Sequence, residues 1–347
     1  MRILVVTQVV DADSSTLGFF IEWLREFARQ CEEVRVIGLA VGRHDLPANV
    51  RVMSMGKEKG AGKFARLFAF WKHLRTALPD VDGVFIHMCP EYLIAGWPLI
   101  AASGKPTMLW YAHRQSNWKV RLGARMAGVV GTISEGSFPF PTPKARVMGH
   151  GIPTERFAPA AAAPVPGRLV AVGRISAIKR LELLIDAVGI LRRAGRDVRL
   201  ELWGEPIMAG DRSYKEGLVR RVEEQGLSSA VSFRGSAAYG KMAEAVAAAS
   251  VALNAAPDGA LDKAVLEAMA CARPIVATNR NFAPLLGVDA DRCLAESDPA
   301  DVAAKIGAHL DRPDPALGAR LRAVVEREHS LKRLITRILS AYERPRP

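Results

Sequence analysis

Two loops in the second half of this chain carry residue types that hold a phosphorylated ligand. Val172-Gly173-Arg174-Ile175-Ser176-Ala177-Ile178-Lys179-Arg180 follows an apolar run and precedes the helical pattern Leu181–Leu191. Its glycine allows a tight turn. Arg174 and Lys179 set two cations beside a helix N-terminus, a combination suited to a diphosphate. Ordinary surface charges would read the same, so this loop alone leaves both readings open. The second loop runs Asp258-Gly259-Ala260-Leu261-Asp262-Lys263-Ala264-Val265-Leu266-Glu267-Ala268-Met269-Ala270. From Ala264 onward it is rich in helix formers. Glu267 lies one turn in, among Val265, Leu266 and Met269. A carboxylate there needs a partner, because burying it bare is expensive. Vicinal hydroxyls of a ligand would serve, and so would a simple pairing near a helix start. Gly259 frees the backbone to approach a ligand closely.

Other patterns fail on inspection. Asp11-Ala12-Asp13 and Asp80-Val81-Asp82 have a spacing that can hold a metal with a sugar diphosphate. Asp80 and Asp82 precede a strand, away from the carboxyl end where ligands bind. Both pairs are read as solvated turn residues. Gly149-His150-Gly151 lacks the third glycine of a dinucleotide fingerprint. The run Gly56–Lys63 has its first glycine one residue too far away for a P-loop, and Phe64 stands where Ser or Thr should follow. No His, Asp or Glu cluster has metal-ligand spacing, so no metal is expected. Cys31, Cys89, Cys271 and Cys293 are too scattered for a zinc motif or a secreted disulfide framework.

The elements that must position the two loops are short apolar strands alternating with amphipathic segments. The strand runs are Ile3–Thr7, Val34–Leu39, Val50–Met55, Val84–Met88, Thr107–Tyr111 and Val129–Ile133. The pattern restarts with Leu169–Val172, Val198–Trp203, Val231–Phe233, Val251–Asn254 and Pro274–Thr278. Such alternation predicts an α/β fold with two parallel sheets, each covered on both faces. The Pro-rich segment Phe157–Gly167 is expected to be a surface linker. A ligand cleft between two doubly wound domains is then the expected site. With 347 residues and 49% hydrophobic content, the chain can build two cores. That balance excludes disordered, collagen-like and coiled-coil classes. The amino end is too short in apolar residues for a signal-peptide core, and no run approaches a membrane span. The net charge is +12, with 19 basic against 12 acidic residues in 1–150. The excess suits an anionic small ligand, an anionic membrane or nucleic acid.

The two loops together resemble the carboxyl-terminal half of retaining, nucleotide-sugar-dependent glycosyltransferases of family 4, which have the GT-B fold. Gly149-His150-Gly151-Ile152-Pro153 through Phe157-Ala158-Pro159 resembles the family's inter-domain signature. Leu202-Trp203-Gly204, Val231-Ser232-Phe233-Arg234-Gly235 and the stretch Glu267–Ala277 resemble further family segments. Order and spacing hold from about 145 to 295. Thr16-Leu17-Gly18-Phe19 and Tyr111-Ala112-His113 fit more loosely. The resemblance implies two Rossmann-like domains facing each other across a cleft. Residues 1–152 would be the acceptor side and 153–328 the nucleotide-sugar side, with a helix in 329–347 returning to the first domain. It also implies roles. Arg174 and Lys179 would bind the donor diphosphate and Glu267 the ribose hydroxyls. Gly204 and Arg234 would line the nucleotide pocket. Gly259, Lys263, Ala264 and Val265 would border the donor beside Glu267, and Gly18 would let a backbone N–H approach its phosphate. His113 would sit near the transferred sugar. As the residue closing a strand, His113 could instead satisfy a neighbouring carbonyl. The family usually has a glutamate at the position of Gly259; here Asp258 is adjacent and is the candidate substitute.

The implied activity is transfer of a sugar from a nucleotide-diphosphate donor to an acceptor hydroxyl with retention of configuration. It needs no metal and no cofactor beyond the donor, with UDP or GDP as the expected nucleotide. The implied setting is cytoplasmic assembly of cell-surface glycan or glycolipid. A nucleotide-sugar epimerase of the same architecture is the alternative enzyme. A basic nucleic-acid-binding protein is the non-enzymatic one, but no RNA-binding signature, zinc finger or basic tail supports it. The segment Lys57–Leu78 carries Lys57, Lys59, Lys63, Arg66, Lys72 and Arg75, with Phe64, Leu67, Phe68, Trp71, Leu74 and Leu78 as a stripe at helical spacing. The stripe is expected to pack on the first sheet. Phe70 and the lysines would then be free to meet an anionic membrane surface.

Overall fold

A computed structural model describes residues 1–14, 16–237 and 239–343. The chain divides into two compact units, one formed by residues 1–151 with the helix from Leu331 onward, the other by Ile152–Ser330.

The first unit runs β1 (Arg2–Val10), α1 (Phe20–Gln30), β2 (Glu33–Val41), β3 (Val50–Ser54), α2 (Lys63–Ala77), β4 (Gly83–His87), α3 (Pro90–Ser103), β5 (Thr107–Trp110), α4 (Trp118–Met126), β6 (Val129–Thr132) and β7 (Ala145–Val147). Its seven strands lie in the order β3-β2-β1-β4-β5-β6-β7, all parallel. Strands such as Ile3–Val6 and Val84–Ile86 are apolar on both sides because helices cover both faces. One face buries Phe20, Trp23 and Phe27 of α1, the other Phe70 and Leu74 of α2 with Leu93 and Ile100 of α3. At the end of β4, His87 is buried, stacked on Phe20 at 4.1 Å, with Nδ1 3.2 Å from Thr7 Oγ1. Burial pushes its pKa down to about 3.

The second unit runs β8 (Arg168–Val172), α5 (Leu181–Arg193), β9 (Arg199–Trp203), α6 (Ala209–Glu224), β10 (Val231–Gly235), α7 (Tyr239–Ala247), β11 (Val251–Asn254), α8 (Lys263–Ala270), β12 (Ile275–Ala277), the single turns α9 (Ala283–Leu286) and α10 (Ala290–Cys293), α11 (Pro299–Asp311) and α12 (Pro315–Glu328). Its sheet is parallel in the order β10-β9-β8-β11-β12. Leu183, Leu184, Val188 and Leu191 of α5 pack one face; Val265, Leu266 and Met269 of α8, with Leu317 and Leu321 of α12, pack the other. A last helix, α13 (Leu331–Glu343), belongs to the first unit. Its Leu334, Ile335 and Ile338 join the α1 core, and Tyr342 Oη donates to Val84 O at 2.9 Å.

Two expectations are corrected and one strand is added. Phe157 is no linker residue: it is fully buried, its ring edge-on to Tyr239 at 5.0 Å, and the Pro-rich segment lies wholly within the second unit. The stripe on α2 is rotated. Phe70 is buried, whereas Phe64 is 90% and Phe68 72% exposed and Trp71 is also exposed. Apolar residues are interleaved with Lys63, Arg66, Lys72 and Arg75 around the helix, so its period does not single out the packed face. Finally, β7 is an additional edge strand, three residues long.

Candidate functional site

In the second sheet the strand order reverses between β8 and β11, the switch point where open α/β sheets leave a crevice at their carboxyl ends. The loops leaving those two strands meet there. Gly173 follows β8 and donates its N–H to Trp203 O at 2.9 Å, while Ile175 N–H donates to Glu205 O at 3.2 Å. The β8 loop is thereby pinned to the loop after β9. Gly204 holds that junction open. Its φ is +137°, and a Cβ there would overlap Gly173 O, so only glycine fits. Arg180, left-handed at φ 45°, donates to Ala255 O at 2.8 Å and to Thr278 Oγ1 at 3.1 Å. It clamps the loop to the ends of β11 and β12 and is occupied by that task.

Arg174 and Lys179 face different surroundings. The Arg174 side chain is 42% exposed, with Nε 3.4 Å from Ser176 Oγ and 3.8 Å from Asp211 Oδ2. Lys179 is more enclosed and forms an ion pair with Asp262. The same Asp262 Oδ2 accepts from Asn254 Nδ2 at 2.9 Å, and its Oδ1 caps α8 through Ala264 N–H at 3.2 Å. Burial pushes the Asp262 carboxyl up, but the Lys179 charge and the hydrogen bonds from Lys179, Asn254 and Ala264 outweigh it. The carboxyl is held below the usual carboxylate range.

One turn further along α8, Glu267 is 5% exposed. Its Oε1 accepts from Tyr239 Oη at 2.6 Å and lies 3.4 Å from Lys263 Nζ. Lys263 in turn donates to Tyr239 Oη at 2.8 Å and sits over that ring at 4.8 Å. Burial dominates both ionisable groups, raising Glu267 against the pull of Lys263 and Tyr239, and lowering Lys263 against the pull of Glu267. Tyr239 and Asn254 are members of the site that the sequence did not indicate. Tyr239 lies 28 residues before Glu267 with no motif linking them, and only the packing of α7 on α8 reveals it.

The remaining candidates are placed as follows. Arg234 lies at the end of β10 with its guanidinium 5.5 Å from the Trp203 ring. Val265 is a core residue whose N–H is 3.2 Å from Asp262 O. Asp258 is exposed and accepts from Arg280 N–H at 2.6 Å, and Gly259 O accepts from Asn281 Nδ2 at 2.7 Å. A Cβ at Gly259 would meet only Pro257 O, at 3.9 Å. In the first unit, Gly18 N–H donates to Ser14 O at 2.9 Å, and a Cβ there would press on Ser14 O and Ala12 O. The tight loop itself therefore accounts for that glycine. His113 is exposed in the segment after β5, its ring 5.9 Å from that of Tyr111. Asp13 pairs with Arg43, Asp80 with Arg35 at 2.8 Å, and Asp82 Oδ2 accepts from Arg2 N–H at 2.6 Å. Among the described residues no group of three His, Cys, Asp or Glu could hold a metal ion. A cavity of about 1030 Å³ lies away from all of these residues, between α3, α13 and the amino ends of β5 and β6.

Residues 166–312 match the family model of glycosyl transferases group 1. No curated protein sequence matches the chain. Among solved structures the chain is similar to Anabaena HepE in complex with UDP and glucose, at 17% identity and TM-score 0.74 over 99% of this chain and 100% of that one. It is similar to sucrose-phosphate synthase of Thermosynechococcus elongatus at 15% identity and TM-score 0.72, covering 99% and 98%. A glycosyltransferase from Rickettsia africae aligns at 13% identity and TM-score 0.73, covering 98% of each chain. The fold is the GT-B type, two parallel-sheet α/β units. The match to the group 1 glycosyl transferase model is confined to the second unit and supports a glycosyltransferase.

Proposed function

We propose that the chain is a retaining hexosyltransferase of the family 4 kind, moving a sugar from a nucleotide-diphosphate donor to an acceptor hydroxyl. The observation that carries this is the meeting of the Arg174–Lys179 loop with the Asp262–Glu267 helix at the switch point of the second sheet, inside the matched stretch. Arg174 and Lys179 take the donor diphosphate and stabilise the charge it gains as the sugar leaves. Glu267, aimed by Tyr239 and Lys263, takes the ribose hydroxyls. Gly204 and Arg234 border the nucleotide, Asp258 and Gly259 the sugar, and Lys263, Ala264 and Val265 form the helix start beside it. Gly18 and His113 are the first unit's candidate residues, His113 for the transferred sugar. The UDP bound by HepE supports UDP as the nucleotide.

The acceptor is a glycan or a lipid-linked hydroxyl compound, and the setting is assembly of surface glycan or glycolipid at the inner face of a membrane. Among the described residues no helix is long and apolar enough to cross a membrane. The outward Phe64, Phe68 and Trp71 on α2, flanked by Lys57, Lys59, Lys63 and Lys72, support a peripheral contact with anionic lipid. The function is tested by release of free nucleotide from UDP- and GDP-sugars in the presence of candidate acceptors. Arg174→Ala and Lys179→Ala should each lower turnover by roughly 10²–10³ with unchanged circular dichroism, and activity should survive EDTA. Wild-type turnover in both variants, or restoration by manganese after loss in chelator, contradicts the assignment.

A further inference from the structure

The lysine assigned to the diphosphate is already engaged by an anion of the chain itself. A helix cap needs one oxygen of Asp262, and Oδ1 supplies it to Ala264 N–H. The second oxygen does something a cap does not require. It takes the Lys179 ammonium from the β8 loop and the Asn254 amide, at 2.9 Å, from the end of β11. The carbonyl of Asp262 lies 3.2 Å from Val265 N–H as well. One carboxylate thus gathers an ammonium, a side-chain amide and a helix N–H. These are the donors that a phosphate oxygen takes at a helix start. The pair is also well enclosed, at 22% side-chain exposure for Lys179 and 14% for Asp262, so solvent does little to weaken it.

We infer that Asp262 is the resident counter-anion of the donor site: it competes with a nucleoside diphosphate for Lys179 and must release that lysine for the diphosphate to bind. This rests on the donor reading above and concerns its regulation. The pair ties the β8 loop to the start of α8. As the spent nucleoside diphosphate leaves, Asp262 recaptures Lys179, so the residue weakens product retention. It therefore governs affinity for the diphosphate and leaves recognition of the nucleoside untouched.

The test is calorimetric titration of the full chain, wild type and variants, with UDP, GDP and ADP and with uridine, guanosine and adenosine. Asp262→Asn and Asp262→Ser both keep a capping oxygen and remove the charge, which separates the two roles and guards against a variant that fails to fold. The expected result is diphosphate affinity about tenfold tighter in both variants, the scale of one charge-assisted competitor removed. Nucleoside affinity should be unchanged, and the gain should vanish when Lys179→Ala is added. Equal or weaker diphosphate binding in both variants, with the wild type binding, overturns the inference and leaves the donor reading standing. Binding of no nucleotide by any form overturns the donor reading, and the inference with it.

Discussion

At Glu267 a single carboxylate is buried with two partners, Tyr239 and Lys263, and its burial raises its pKa rather than lowering it. Lys263 and Tyr239 pull against that burial toward the ionised form, which accepts from hydroxyl donors. Glu267→Gln should weaken binding of the free nucleoside diphosphate, because a charged acceptor is worth roughly 1.5–3 kcal/mol per hydrogen bond against 0.5–1.5 for an amide oxygen. Asp258→Asn should leave that affinity nearly unchanged, since Asp258 lies outside this network and accepts from Arg280 N–H. It should instead alter turnover or sugar preference. Titration of both variants is the check, and the reverse order would mean that the helix has been read in the wrong register. His87 makes a second prediction. Its folded pKa of about 3 lies below the ordinary value of 6.5, so the unfolded chain takes up a proton that the folded chain refuses. Its contribution is complete above pH 6.5 and is lost as pH falls toward 3, at about 1.4 kcal/mol per pH unit. Unfolding free energies measured between pH 7 and pH 4 should fall less steeply in His87→Phe than in the wild type. Parallel slopes would show that His87 is not the group responsible.

The helix α2 shows where element-level reading succeeds and where it stops. The sequence indicates a basic helix with an apolar face, and the helix is there from Lys63 to Ala77. It does not indicate which face. Phe64, Phe68 and Trp71 recur at the same spacing that packed positions have, but the buried side is that of Phe70, Leu74 and Ala77. Only the sheet it lies against decides between the two. The strands were easier to read, because runs such as Leu169–Val172 and Val251–Asn254 are continuous and bounded by turn residues. The short edge strand Ala145–Val147 left no comparable signal, with an arginine at its centre. Aromatic residues that the fold leaves outside should be removable without loss of stability. Phe64→Ser with Phe68→Ser should keep the wild-type melting temperature to within a few degrees, as surface changes cost within about 0.5 kcal/mol each. It should also abolish sedimentation with phosphatidylglycerol vesicles. Sedimentation equal to that of the wild type, or equal binding to phosphatidylcholine vesicles, would contradict a membrane role for this face.

Over the whole molecule, the two parallel sheets and the loops at the ends of β8 and β11 were legible, because glycine, basic residues and strand ends follow each other in order. The partners drawn in by folding were not. Tyr239 and Asn254 reach the site through helix packing and strand order, and neither carries a local pattern. The same applies to Asp262, whose second oxygen matters only once Lys179 has been brought beside it. The proposed activity requires that this cluster of cations and carboxylates receive a nucleotide-diphosphate sugar. The most direct measurement is thermal unfolding of the full chain with millimolar UDP-, GDP- and ADP-sugars. A ligand at 100 times its Kd adds about 2.7 kcal/mol of stability, enough to move the melting temperature by several degrees. The expected result is a rise with the sugars of one nucleotide, absent with the matching nucleoside and lost in Arg174→Ala. No rise with any of the donors, or an equal rise in Arg174→Ala, would contradict it.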